Sequence, residues 1–288
     1  MDKIPHPIPY QGSKRNLAPA ILSYISNQYE TLYEPFAGSA SLSLYAAYHN
    51  YARHFVIGDT CSSIINLWHQ ILHTPQDLIT RYAELWHGQQ HGDFDYFNRI
   101  RDEYNRTYDP VLFLYLAARC VKNAIRFNRY GRFTQSVDKR RKGMHPDKMQ
   151  RNVLSAHYLL AGRTTLFQDD FKDCLEPATH HDLIYMDPPY QGTTYGRDKR
   201  YFQQLEKDDL VSVIYDLNTR NIDFLLSYDG SSGERQYGEP LPSTLEMSHI
   251  LINAGRSSQA TLNGKNAQTV ESLYISRRLG NGITRTVL

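Results

Sequence analysis

Asp187-Pro188-Pro189-Tyr190 combines a carboxylate, a stiff turn with two bare carbonyls and an aromatic ring. An exocyclic amino group on a nucleobase has its lone pair delocalised into the ring. To act as a nucleophile it needs acceptors that hold its hydrogens and turn that lone pair out of the ring plane. Asp187 and the Pro188 carbonyl are candidates for those acceptors, and the prolines fix their geometry in advance. Tyr190 offers a face on which a base taken out of its helix could stack. The same four residues also fit a strand that simply ends in a proline-rich turn.

What precedes them is an apolar run, Leu183-Ile184-Tyr185-Met186, that predicts a short buried strand. Proline lacks the N–H that a ladder needs, so the strand stops at Asp187. In an open α/β sheet that is the carboxyl edge, where ligands bind. Earlier in the chain, residues 31–34 predict a strand that runs into Pro35-Phe36-Ala37-Gly38, a small-residue turn before a helix from about 39 to 49. Gly38 would let the backbone approach a ligand at the helix N-terminus. A second strand, 54–58, ends at Asp59, about twenty residues past Gly38, where a doubly wound sheet places the acid that binds a ribose diol. Asp59 could instead cap the helix expected over 64–72. The turn lacks the full Gly-x-Gly-x-x-Gly pattern of a dinucleotide site. Tyr10 and Lys14, in Tyr10-Gln-Gly-Ser-Lys14, are further candidates to touch a ligand, or part of an arm that caps the next helical pattern, 17–25.

From residue 62 to 161 strand signals give way to helical ones, at 64–72, 77–86, 94–105, 111–125 and 146–160. Within this block lies Arg126-Phe-Asn-Arg-Tyr-Gly-Arg-Phe133, with Gly131 as a hairpin turn, followed by Lys139-Arg140-Arg141-Lys142. Residues 119–151 hold eleven Lys or Arg against two Asp, a net +9 in a chain of net +2, so the remainder carries −7. A basic segment inside an acidic remainder is the footprint of a polyanion partner. Arg126, Asn128, Arg129 and Arg132 alternate with aromatics, as base-reading residues would; the Lys139–Lys142 run suits phosphates. Strand patterns resume at 164–167, continuing to Asp169-Asp170-Phe171, and recur at 183–186, 223–228, 245–252 and 270–276, with a helix over 207–220. The expected fold is α/β: a doubly wound, mostly parallel, Rossmann-like sheet of residues 1–61 and 162–288 carrying an inserted helical domain, 62–161.

Composition is that of an ordinary globular chain, with 41% hydrophobic and 22% charged residues. No apolar run approaches membrane length, and the first residues show no signal-peptide core. Cys61, Cys120 and Cys174 are too few and too far apart for a disulfide framework or a cysteine metal site, so a reducing compartment and no metal are expected. None of them follows a proline.

Taken in order, these motifs resemble the Dam-like, D12-class adenine-N6 DNA methyltransferases over most of the chain. Tyr10–Lys14 resembles that family's N-terminal cofactor motif, Glu34-Pro-Phe-Ala-Gly38 its glycine loop, and Asp59 falls at its ribose-binding acid. The segment 123–133 is similar to its recognition hairpin, Asp170-Phe171 to the motif near the cofactor's adenine, Asp187–Tyr190 to the catalytic motif, and Leu226-Ser-Tyr-Asp229 to a later strand motif. The resemblance implies S-adenosyl-L-methionine as methyl donor, double-stranded DNA as partner and a flipped adenine as acceptor. Tyr10, Lys14, Pro35, Phe36, Ala37, Gly38, Asp59, Asp170, Phe171 and Asp187 would then hold the donor. It also implies a cytoplasmic, DNA-associated enzyme of a prokaryote or phage, with a cognate restriction endonuclease acting separately where one exists. Three readings stay open beside it: methylation of cytosine N4, methylation of RNA or a protein amide, and a DNA-binding module without catalysis.

Overall fold

The computed structural model describes residues 3–89, 93–189, 206–232, 235–237, 241–256 and 268–280. Five parallel strands form the body of one sheet: β1 (Tyr29–Glu34), β2 (Ala52–Gly58), β3 (Thr164–Phe167), β4 (Leu183–Met186) and the first half of β5 (Asp223–Ser232). β7 (Ser248–Arg256) and β8 (Gln268–Ile275) add antiparallel, giving the order β3-β2-β1-β4-β5-β8-β7, and the short β6 (Arg235–Tyr237) pairs with the far end of β5. The parallel order reverses between β1 and β4. Two neighbouring strands there lead away in opposite directions, which opens a crevice at their carboxyl ends.

Side chains alternate across the strands, as a pleated sheet requires, and each set is buried under its own helices. Leu32, Phe55, Ile57, Leu183, Tyr185 and Leu225 face a large cluster with α2 (Ser41–Tyr48), α3 (Ser62–His73), α6 (Pro110–Arg119) and α7 (Pro146–Leu160). Tyr33, Val56, Ile184, Met186, Phe224 and Leu226 face a second cluster with α8 (Phe171–Leu175) and α9 (Lys207–Thr219). The result is the doubly wound, three-layer α/β arrangement expected from the strand pattern. Between β2 and β3 the chain builds the helical block, which also contains α4 (Pro75–Gly88) and α5 (Phe94–Thr107). Asp93, Asp109 and His145 cap α5, α6 and α7 through backbone N–H groups. No helix among the described residues is long and apolar enough to cross a membrane.

Three expectations need correction. The sheet does not continue to Phe171: it stops at Phe167, and the Asp170 carboxylate accepts from the Lys172 N–H to start α8. Asp is a better helix cap than a strand residue. Helix α6 ends at Arg119 rather than 125, because Cys120 bridges to Val137 and Lys122 and Asn123 take positive φ. The pattern at 17–25 is a five-residue helix, α1 (Ala18–Leu22), preceded by a 3-10 turn, Lys14–Asn16.

Candidate active site

A cavity of about 190 Å³ lies at the carboxyl ends of β1, β2 and β4. Tyr10, Lys14, Pro35, Phe36, Ala37, Gly38, Asp59, Asp170, Phe171, Asp187, Pro188 and Pro189 all line it, so residues spread over 180 positions converge on one wall. Tyr190 and the loop 191–200 lie outside the described residues.

The glycine turn is held tightly. Gly38 has φ 49°, a left-handed conformation, and a Cβ there would come 3.1 Å from the Tyr10 ring. Its N–H donates to Asp59 Oδ2 (3.0 Å) and its carbonyl accepts from Trp68 Nε1 (3.0 Å). The second Asp59 oxygen accepts from the Cys61 N–H at 2.8 Å. Asp59 therefore ties the end of β2 to the glycine turn, and its two oxygens retain further acceptor capacity toward the cavity. Phe36 and Phe171 pair at 5.1 Å between centroids. Glu34, at the end of β1, is buried and accepts from Ser43 Oγ (2.6 Å) and from the Ser43 N–H (2.8 Å), which fastens α2 to the strand.

Lys14 is 7% exposed, and its ammonium sits 2.9 Å from Asp187 Oδ1 and 3.2 Å from Glu271 Oε2. Burial raises Asp187 to about 6; Lys14 opposes that shift and Glu271 adds to it. Burial likewise raises Asp59 to about 6 and Glu34 to about 7, against the hydrogen bonds each accepts. Even without Glu34, the carboxyls of Asp59, Asp170, Asp187 and Asp209 outnumber the Lys14 ammonium on the described wall. Such a site favours a cationic guest and strong acceptors near neutral pH. Trp68 and Glu271 were not foreseen from the sequence, since nothing in their local pattern separates them from a core tryptophan and a strand glutamate.

The basic segment is sorted by the fold. Phe127 and Phe133 bridge across a turn at Gly131, φ 75°, so the expected hairpin forms. Its two phenylalanines are buried against Tyr104 and Phe113, and the tip is exposed, with Tyr130 at 68%. Arg129 lies over the Tyr130 ring, and Arg132, Lys139, Arg140 and Lys142 are exposed while Arg126 is half-buried. Asn128 is engaged within the turn: its Oδ1 accepts from the N–H groups of Tyr130 (2.9 Å) and Arg132 (3.1 Å). Arg141 donates to Asp138, Asn123 and the Cys120 carbonyl. Arg119 is buried, donating to Gln89 and the Asp138 carbonyl. The positive charge that faces outward is thus smaller than the sequence total. Among the described residues no group of three or more His, Cys, Asp or Glu is arranged to hold a metal ion.

The cavity lies at the switch point of a doubly wound sheet, where sheets of this kind bind ligands, and is walled by a glycine turn, a strand-end acid and Asp-Pro-Pro. The family model described as D12 class N6 adenine-specific DNA methyltransferase matches residues 10–251, and the chain belongs to that family. It is 28% identical over 189 residues to the retron Ec67 DNA adenine methylase of Escherichia coli, covering 64% of this chain and 63% of that protein. It is 25% identical over 240 residues to the DNA N-6-adenine-methyltransferase of Escherichia phage P1, covering 79% of this chain and 30% of that protein. The modification methylase StsI of Streptococcus sanguinis is 25% identical over 235 residues, 78% of this chain and 35% of its own length. The chain therefore matches somewhat under two thirds of the first of these relatives and about a third of the others.

Proposed function

We propose that this protein methylates the N6 amino group of adenine in double-stranded DNA, with S-adenosyl-L-methionine as donor. The observation that carries this reading is the shared cavity: the Asp187-Pro188-Pro189 acceptors open onto the same space as Gly38 and Asp59. The donor's chemistry suits the residues present. Its sulfonium and ammonium charges match a wall in which carboxylates outnumber Lys14, and its nucleoside needs what Gly38, Asp59, Phe36 and Phe171 offer. A Cβ at position 38 would press on the Tyr10 ring that lines the same cavity. When bound, the donor supplies an electrophilic methyl group with a neutral thioether behind it.

The chain's own residues do the rest. Asp187 and the Pro188 carbonyl accept hydrogen bonds from the adenine amino group and direct its lone pair away from the ring. Burial keeps Asp187 a strong acceptor, and Lys14 keeps it ionised at neutral pH. Tyr190 stacks on a base turned out of the duplex, at an extrusion cost of a few kcal/mol. Residues 1–61 and 162–288 form the catalytic part, and 62–161 carry target recognition. Exposed Lys139, Arg140, Lys142 and Arg132 serve phosphates and base edges, with Arg126 and Arg129 at the base and tip of the hairpin. Relatives named as modification methylases favour a restriction–modification setting, with the endonuclease a separate protein.

The test is transfer of labelled methyl groups to duplex DNA, followed by digestion to nucleosides. The expected product is N6-methyladenine. N4-methylcytosine as the product, or no transfer to DNA by the folded protein, overturns the reading.

A further inference from the structure

Glu271 lies on β8, outside every motif recognised in the sequence, yet its carboxylate is 3.2 Å from the Lys14 ammonium that also binds Asp187. The backbone brings it there by a specific device. Strand β5 is irregular between Ser227 and Gly230, and β8 resumes its pairing at Gly230, directly opposite Glu271. Gly230 has φ 152°, and a Cβ there would lie 2.7 Å from the Val270 carbonyl oxygen, so only glycine lets β8 pass so close. Asp229, left-handed at φ 57° and buried, accepts from Tyr274 Oη at 2.6 Å, which fixes the register three residues beyond Glu271. Bulges beside active sites commonly re-aim a side chain.

A lysine held by Asp187 alone would occupy one carboxylate oxygen and pull its electron density toward the ammonium. Shared between two acids, it binds each less completely. We propose that Glu271 is a positioning residue for methyl transfer: it holds Lys14 between two carboxylates, which leaves Asp187 with lone pairs for the adenine amino group. This rests on the adenine methylation proposed above. The titratable groups facing Asp187 come from every surrounding element: Lys14 and Tyr10 of the N-terminal arm, Glu34, Asp59 and Tyr185 at strand ends, Asp170 and Asp209 at helix starts, and Glu271. Of these, Glu271 is the acid in direct contact with the lysine that Asp187 uses, so it can set how that lysine is divided.

The experiment follows the Asp187 carboxyl by carbon NMR across pH in the full chain carrying labelled aspartate, assigned with Asp187→Asn. Wild type is compared with Glu271→Gln, Glu271→Asp and Lys14→Met. Removing the Glu271 charge should lower the Asp187 midpoint by about 1 unit. Lys14→Met should raise it, and Glu271→Asp should stay near wild type. The acid limb of single-turnover methyl transfer should shift with the midpoint in Glu271→Gln, with a lower plateau rate and unchanged KM for DNA. An Asp187 midpoint that Glu271→Gln leaves in place overturns the proposal whether or not methyl transfer is observed. Absence of adenine methylation in wild type overturns the activity instead, because the NMR titration needs no turnover.

Discussion

The methyl transfer proposed here uses Asp187 as an ionised acceptor, and its surroundings oppose ionisation. Burial lifts it from the ordinary carboxylate value near 3.8 to about 6. The sign for activity is direct: methyl transfer should fall as pH drops through about 6. The sign for stability is opposite. A carboxylate raised by folding favours the folded state when protonated, and that contribution is lost as pH rises from about 4 through about 6. Asp187→Asn should therefore abolish transfer yet melt at a higher temperature than wild type at pH 8, with the gap narrowing towards pH 4. Thermal denaturation at the two pH values checks this; a variant less stable at pH 8 refutes the sign. Asp59 differs, because it carries two structural hydrogen bonds as well as the donor-binding role proposed for it. Asp59→Ala should weaken donor binding, measured by calorimetry, by roughly 1.5–3 kcal/mol. It should also lower stability, while affinity for DNA alone is nearly kept.

At the scale of the element, the hairpin shows a polar side chain engaged in building its own turn. The Asn128 oxygen holds the turn closed against two backbone N–H groups. Asn128→Ala should loosen the tip and weaken binding to target and mismatched duplexes alike, and Asn128→Asp, which keeps the acceptor but adds a negative charge, should restore the turn without restoring DNA affinity. Loss of discrimination without loss of affinity would instead make Asn128 a reader of bases. The basic run divides in the same way. Lys142→Ala should lower the salt slope of DNA binding by about 1. Arg141→Ala should act first on stability, by roughly 1–3 kcal/mol, because Asp138 is buried and loses a charged donor. Salt titrations and denaturant unfolding of the two variants separate these effects.

Across the whole molecule, the helical block and the sheet share one core. Trp68 of α3 is fully buried and donates to the Gly38 carbonyl, so the segment that carries the basic hairpin also braces the glycine turn. A second link joins them: the Gln11 N–H donates to the Asn123 carbonyl, connecting the N-terminal arm to the base of the hairpin. Trp68→Phe should weaken donor binding without touching the donor, because the Gly38 carbonyl loses a buried partner worth roughly 1–3 kcal/mol. Excising 62–161 should leave a remainder without a cooperative thermal transition, since α2 and β2 would lose the cover of α3 and α7. A folded, donor-binding remainder would show that the two parts are independent.

The amino-acid order by itself determined the strand–turn–helix series and the clustering of acids at strand ends. Those features are local: alternation, prolines that cannot join a ladder and glycine at a tight turn act within a few residues. Hence the convergence of Asp187, Asp59 and Gly38 on one cavity follows motifs visible in the amino-acid order, as do the sheet class and the hairpin at Gly131. Only the tertiary structure decided which charges meet. That Asp170 starts a helix rather than ending a strand depends on whether β2 offers it a neighbouring edge. Trp68 reaches Gly38 across thirty residues, and Glu271 reaches Lys14 across most of the chain, through a bulge whose register no periodicity encodes. Arg119 counted as surface charge in the sequence, but packing buried it against Gln89 and the Asp138 carbonyl, while Arg141 stays exposed yet is tied to Asp138, Asn123 and the Cys120 carbonyl. Charge can be counted along a chain, but its direction is set by burial, which is a property of the packed whole.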